Sequence, residues 1–281
     1  MNILRKFVVS PANYSAMKIV ANKLESKGIV PIFDYAVEHT GTNNCEEVKY
    51  EINRIVRHFP NNFSALKLSA FDLKRSNEDI VKDCMDIIKM CKMNNTEVTI
   101  DAEQVDYQDK ISTITDIIAN NNTNIYKTYQ MYRKDSLELL QDDINLYNCM
   151  GLTLNPKLVR GAYYVQDKKT GKLCDTIDQT HYNYNEGVKM IIKEMKHNNN
   201  MKLIAATHNV ESMELLKNLT NNANVDRIYF AHLLGFLDET TDKLKESGYN
   251  VMKYVPYGPI TKTYPYLFRR LIENYELTKF I

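Results

Sequence analysis

Apolar residues fall along the chain in two alternating rhythms. Short, nearly unbroken apolar runs occur at Ile29–Val37, Ala65–Phe71, Glu97–Gln104, Ile125–Tyr132, Leu158–Tyr163, Lys202–Asn209, Arg227–Leu234 and Asn250–Val255. Such runs predict parallel strands covered on both faces. Between them the apolar residues move to three- and four-residue spacing, over Glu46–Phe59, Asn77–Lys92, Ser136–Tyr147, Thr180–His197 and Val210–Leu215. That spacing predicts amphipathic helices. Pro11 to Lys27 reads as one more helix, leading into the first strand. Regular strand–helix alternation, eight times over, predicts a (βα)8 TIM-type barrel in preference to an open sheet. No linker or shift in composition marks a second domain, so residues 1–28 read as a lead-in helix and 29–281 as the barrel. Asparagine clusters such as Asn120 to Asn122 and Asn198 to Asn200 fall between elements, where Asn suits turns.

Composition narrows the function classes. A length of 281 residues matches one barrel. A net charge of +1 gives no reason to expect nucleic acid as a partner. Five scattered cysteines without a C-x-x-C pair read as reduced thiols. No apolar run reaches the roughly 18 residues needed to span a bilayer. The first 24 residues lack acids and carry Arg5, Lys6, Lys18 and Lys23, a bias shared with mitochondrial transit peptides, although a structural helix accounts for it too.

Barrel active sites lie at the C-terminal ends of the strands. Polar residues gather at those ends: Lys67, Asp101, Gln130, Arg160, Thr207 to Asn209, His232 and Lys253. Any one of them could be a structural ion pair. Seven strands delivering polar groups to one rim suggest a charged ligand as their partner. Near the C-terminus, Tyr266, Arg269, Arg270 and Glu273 fall at i, i+3, i+4 and i+7, one face of a helix expected to open near Pro265. Two adjacent guanidinium groups suit a small carboxylate. No metal-ligand spacing, G-x-G-x-x-G, Walker loop or G-x-S-x-G occurs. What remains is a cationic, tyrosine-lined pocket suited to a small amino or hydroxy acid held against a flat cofactor.

The motifs at these ends are Lys-Leu-Ser-Ala (67–70), Ile-Asp-Ala-Glu-Gln (100–104), Thr-Tyr-Gln (128–130), Lys-Leu-Val-Arg-Gly-Ala-Tyr (157–163), Ala-Thr-His-Asn (206–209), Leu-Leu-Gly (233–235), Lys-Tyr-Val-Pro-Tyr-Gly-Pro (253–259) and Pro-Tyr-Leu-x-Arg-Arg-x-x-Glu-Asn (265–274). In this order the chain resembles the proline dehydrogenase family, and its wording is nearer the eukaryotic branch. The resemblance covers roughly residues 29 to 276. It implies a distorted barrel whose last helix lies over the C-terminal mouth. It also implies FAD-dependent oxidation of L-proline to 1-pyrroline-5-carboxylate by hydride transfer, with electrons passed to a quinone and any membrane contact peripheral.

Roles follow residue by residue from the resemblance. Arg269, Arg270 and Lys67 would clamp the substrate carboxylate. Tyr163, Tyr254, Tyr266 and Leu233 would wall the pyrrolidine ring, and Asp101 and Glu273 would orient the cluster. Gln130, Lys157, Arg160, Gly161, Ala162, Thr207, His208 and Asn209 would contact the flavin. Lys157 stands where bacterial members carry arginine, and Phe236 replaces a methionine common after Leu-Leu-Gly. The chain lacks the long N-terminal extension of many eukaryotic members, so the resemblance implies a mitochondrial location while a structural N-terminus leaves a cytoplasmic one open. Tyr254 favours proline over hydroxyproline, because hydroxyproline dehydrogenases usually carry serine after the strand-8 lysine. A silent flavin- or proline-binding barrel is a further alternative. A phosphate-binding barrel would need a glycine-rich cradle that Gly235 and Gly258 alone do not supply.

Overall fold

The computed structural model describes residues 14–37, 45–120, 122–220, 225–259, 261, 263, 267 and 268. Eight strands close into one parallel barrel in chain order. They are β1 (Val30–Tyr35), β2 (Phe63–Leu66), β3 (Glu97–Ile100), β4 (Ile125–Gln130), β5 (Pro156–Val159), β6 (Leu203–Ala206), β7 (Ile228–Leu233) and β8 (Asn250–Tyr257). Closure is made by β1 and β8, paired in register from Val30 opposite Met252 to Tyr35 opposite Tyr257. The helices are α1 (Tyr14–Glu25), α2 (Cys45–His58), α3 (Asn77–Met93), α4 (Val105–Ala119), α5 (Ser136–Cys149), α6 (Ile177–Glu194), α7 (Val210–Thr220) and α8 (Asp238–Glu246). Short turns at Leu68–Phe71 and Tyr164–Asp167 break the loops after β2 and β5.

Strand alternation sorts the side chains into two layers. Ile32, Phe63, Ala65, Tyr126, Ile204, Ala231, Met252 and Tyr254 fill the barrel interior. The alternate residues pack outward against the helices, in one cluster around β1 to β3 and another around β4 to β8. The sequence expectation of a single TIM-type barrel holds. Its strand ends need correction. β2 starts two residues earlier than expected and stops at Leu66, and Leu68–Phe71 forms a 3-10 turn. There the Ser69 amide donates to Glu103 at 2.9 Å and its hydroxyl donates to the same carboxylate, so the chain turns to a side-chain acceptor. β3 ends at Ile100 and β5 at Val159, whereas β8 runs on to Tyr257. Two helices escaped the periodicity, α4 and α8; α8 buries only Thr241 and Leu244, too few apolar residues to set a rhythm.

The shell between α4 and α5 is joined by polar groups. α2 packs on α3, α3 on α4, α5 on α6 and α6 on α7, whereas α4 and α5 lack such close packing. Between them lies a polar cavity of about 250 Å³, floored by the outward residues Lys127 and Tyr129 of β4. The Lys127 ammonium bonds Asp116 and Asp143, each at 2.7 Å, from α4 and α5. Tyr129 donates to Asp143 at 2.6 Å and Tyr147 to Asp116 at 2.9 Å. An ion cluster thus joins α4 to α5, where the neighbouring pairs α3–α4 and α5–α6 pack directly on one another.

Candidate active site

Polar groups from successive strand ends converge inside the mouth. Asp101, just past β3, is their hub. Lys157 of β5 donates to Asp101 Oδ1 at 2.7 Å, and the Tyr254 hydroxyl donates to Oδ2. Lys67, just past β2, lies 3.4 Å from Oδ2 and is bonded to Asp34 of β1. Both ammonium groups lie over the Tyr254 ring, Lys157 at 4.7 Å and Lys67 at 5.8 Å from its centroid. Two cations, two carboxylates and one aromatic face therefore form a closed, buried set. Burial pushes the Asp101 carboxyl up, but Lys157, Lys67 and the bonds from Lys157 and Tyr254 outweigh it and hold it down to about 2.

A second set joins the ends of β5 and β6. Arg160 donates through Nε to His181 Nδ1 at 2.9 Å, through Nη1 to Thr207 Oγ1 and through Nη2 to Ser212 Oγ at 2.8 Å. Its guanidinium lies 4.4 Å from the Tyr184 ring centroid. Asn209 accepts from the Ser212 amide at 2.8 Å, which caps α7. His208 stacks on Phe236, with ring centroids 4.9 Å apart and planes 4° from parallel.

Two features bear on a cofactor at this rim. Gln130 is 3% exposed, and neither its amide oxygen nor its nitrogen meets a hydrogen-bond partner among the described residues. A buried amide left bare costs free energy, so a polar ligand edge fits it. Gly161 has φ +140°, and a Cβ there would lie 2.5 Å from the Tyr132 ring. Only glycine permits that backbone, which packs directly against the Tyr132 ring. A planar, polar group suits such a rim.

The structure places the expected residues unevenly. Lys67, Asp101, Lys157 and Tyr254 meet in one cluster, so Lys157, expected at the flavin, shares its carboxylate with the substrate-side group. Tyr163 is fully buried beside Gly161 and Ala162, and Leu233 ends β7 half-buried. Gln130, Arg160, Thr207, His208 and Asn209 lie at the ends of β4, β5 and β6. Tyr266, Arg269, Arg270 and Glu273, with the expected lid helix, lie outside the described residues. Lys253 and His232 point away from the mouth: they alternate with interior residues and bond α8 and its loop. The expectation that rim charges await a ligand needs amending, since the described lysines already have protein partners. Sequence reasoning missed Asp34, although an acid inside the apolar run Ile29–Val37 is the same signal that singled out Asp101. His181 and Ser212 were missed too; they sit on helices and are recognisable only through Arg160.

A closed parallel barrel with an ionisable cluster at its strand C-termini is the arrangement in which barrel enzymes build their active sites. A family model described as proline dehydrogenase matches residues 17–281, and the chain belongs to that family. The human protein "Proline dehydrogenase 1, mitochondrial" is 33% identical over 211 residues, covering 69% of this chain and 35% of that protein. A Xenopus laevis hydroxyproline dehydrogenase is 31% identical over 204 residues, covering 67% of this chain and 44% of the relative. The chain thus spans less than half the length of these two relatives. Proline utilization A from Bdellovibrio bacteriovorus, solved after inactivation by N-propargylglycine, shares the fold with a TM-score of 0.86 at 17% identity, over 97% of this chain and 33% of that one.

Proposed function

We propose that this chain is the catalytic barrel of a flavin-dependent dehydrogenase that oxidises L-proline to 1-pyrroline-5-carboxylate and passes the electrons to a quinone. The observation that carries the reading is the buried Asp101 set, in which Lys67, Lys157 and Tyr254 are fixed around one carboxylate at the mouth. Bound FAD would supply the redox chemistry, accepting a hydride from the ring carbon beside nitrogen. Gln130, Lys157, Arg160, Gly161, Ala162, Thr207, His208 and Asn209 would hold it. The bare Gln130 amide and the Gly161 backbone support that assignment. Asp101 fixes the two ammonium groups and the Tyr254 ring, so the pocket needs little rearrangement when the small substrate enters. Tyr254, Tyr163 and Leu233 would exclude water around the ring. From sequence, Arg269 and Arg270 would take the substrate carboxylate, with Tyr266 and Glu273 beside them. Residues 1–28 would lead into the catalytic barrel of residues 29–281. The human relative is mitochondrial by name, and we place this chain there too, with peripheral membrane contact; among the described residues no helix is long and apolar enough to cross a membrane.

The test is spectroscopic. Purified protein, supplied with FAD, should carry a flavin absorption band that L-proline bleaches in the absence of oxygen. Protein that takes up no flavin, or flavin that stays oxidised with proline, would reject the reading. Arg269→Met or Arg270→Met should keep the flavin and lose at least about tenfold in kcat/KM, the worth of a charge-assisted contact.

A further inference from the structure

Lys253 lies on the outer side of β8, 2% exposed, under the loop that joins β7 to α8. Its ammonium bonds the Phe236 carbonyl and lies 3.2 Å from Asp238 Oδ1. Those two partners flank Leu237, which sits at φ 51°, ψ 41°. Left-handed backbone is costly for a residue with a side chain and persists only where its surroundings hold it. Lys253 is the clip that holds it. The same loop carries Phe236, whose ring stacks on His208. His208 Nε2 also accepts the backbone N–H of Leu233 at 3.2 Å. A backbone N–H can only donate, so Nε2 carries no proton and a neutral His208 keeps its proton on Nδ1. Among the described residues nothing bonds Nδ1, and the residue is half-buried.

We propose that Lys253 is a positioning residue: by clipping the β7–α8 loop it presents His208 at the rim as a neutral imidazole whose Nδ1–H donates to an acceptor atom of the bound flavin nucleotide. This rests on the flavin reading above. The charges around His208 support it. Burial lowers its basicity first, and Lys253 from β8 and Arg160 from β5 lower it further, to about 4. His232 on β7, its ring centroid 5.9 Å away, is itself held neutral by burial and by Lys253. Asp238 at the start of α8 is the carboxylate in this group and is bound by Lys253. The sign is definite. Protonating His208 would put a second N–H against the Leu233 amide and release the loop. Removing Lys253 takes away one of the two cations that prevent it, so His208 should titrate nearer its ordinary range.

The first measurement needs no flavin. In the full chain, nitrogen-resolved NMR of the histidine rings should show His208 neutral, with the proton on Nδ1, from pH 8 down to about 5. A His208 that titrates near 6.5, or carries its proton on Nε2, overturns the proposal whether or not flavin binds. The second measurement is FAD affinity against pH. Wild type should bind equally at pH 8 and pH 5.5. Lys253→Met should bind about tenfold more weakly at pH 8, as expected for a lost charge-assisted contact, and more weakly still at pH 5.5. Lys253→Arg, which keeps charge and donors, should recover most of the loss. In a His208→Asn background, Lys253→Met should add no pH dependence. A Lys253→Met protein with wild-type affinity at both pH values, or an equal loss at both that arginine does not repair, overturns it. If no variant and no wild type binds FAD, the flavin reading fails, while the ring titration still decides the state of His208.

Discussion

Asp101 is one carboxylate shared by two ammonium groups and a phenol. Its stabilisation is present above the ordinary carboxylate range and is lost as pH falls from about 4 towards 2, because its pKa is depressed in the fold. Asp101→Asn leaves Lys157 buried without a counter-charge. That should cost about 3–5 kcal/mol at pH 7, seen as a lower urea midpoint, and the variant's stability should change less than wild type's between pH 4 and 2. Unchanged stability would mean that the lysines find other partners. On the proposed function Tyr254 would bear on specificity. Its ring is held by its hydroxyl on Asp101 and by the ammonium groups above it, so it cannot swing aside for a larger ligand. Tyr254→Ser should lower proline turnover and raise the ratio of 4-hydroxyproline to proline kcat/KM by roughly 10- to 200-fold, the range for a few atoms of pocket volume. If both efficiencies fall together at equal flavin loading, the tyrosine is a structural wall only.

Among the elements, β4 departs furthest from expectation for a barrel strand. Its outward residues Lys127 and Tyr129 meet carboxylates where helices α4 and α5 would otherwise offer apolar side chains. Burial holds the Asp116 carboxyl up, and Asp143 adds to this, while Lys127 opposes both. Lys127→Met should therefore lose about 3 kcal/mol at pH 7, since two partly buried carboxylates lose their common cation. The loss should shrink as pH falls from 7 towards 4.5. An acid whose pKa is raised in the fold binds its proton more tightly there, so acid favours the folded variant. Thermal melts at both pH values decide this. The existence of all eight strands was legible because a covered parallel strand writes a continuous apolar run. Their ends were not, since side chains set them: Glu103 receiving Ser69 after β2, and the Gly161 backbone on Tyr132 after β5. The mouth was legible as residue types at strand ends. The pairing of Lys67 with Asp34, and the outward facing of Lys253 and His232, depend on register and on partners far along the chain. No local pattern carries that information.

At the scale of the molecule, the closed sheet leaves no edge exposed. Each strand is braced by two neighbours, and the β1–β8 seam is continuous over six residue pairs. The interior set at the mouth ties β1, β2, β3, β5 and β8 through Asp34, Lys67, Asp101, Lys157 and Tyr254, so five strands share one electrostatic knot. The gap between α4 and α5 has a consequence in time. Regions with few apolar contacts open locally at less cost than the global unfolding free energy. Hydrogen exchange should find the amides of α4 and α5 giving up their protons ahead of those in α3 and α6, whose flanks are packed. Should the four helices exchange together, the ring is as cooperative at its wet arc as at its dry ones. If instead that arc goes first, the molecule breathes through the side wall of its barrel before any of its strands part.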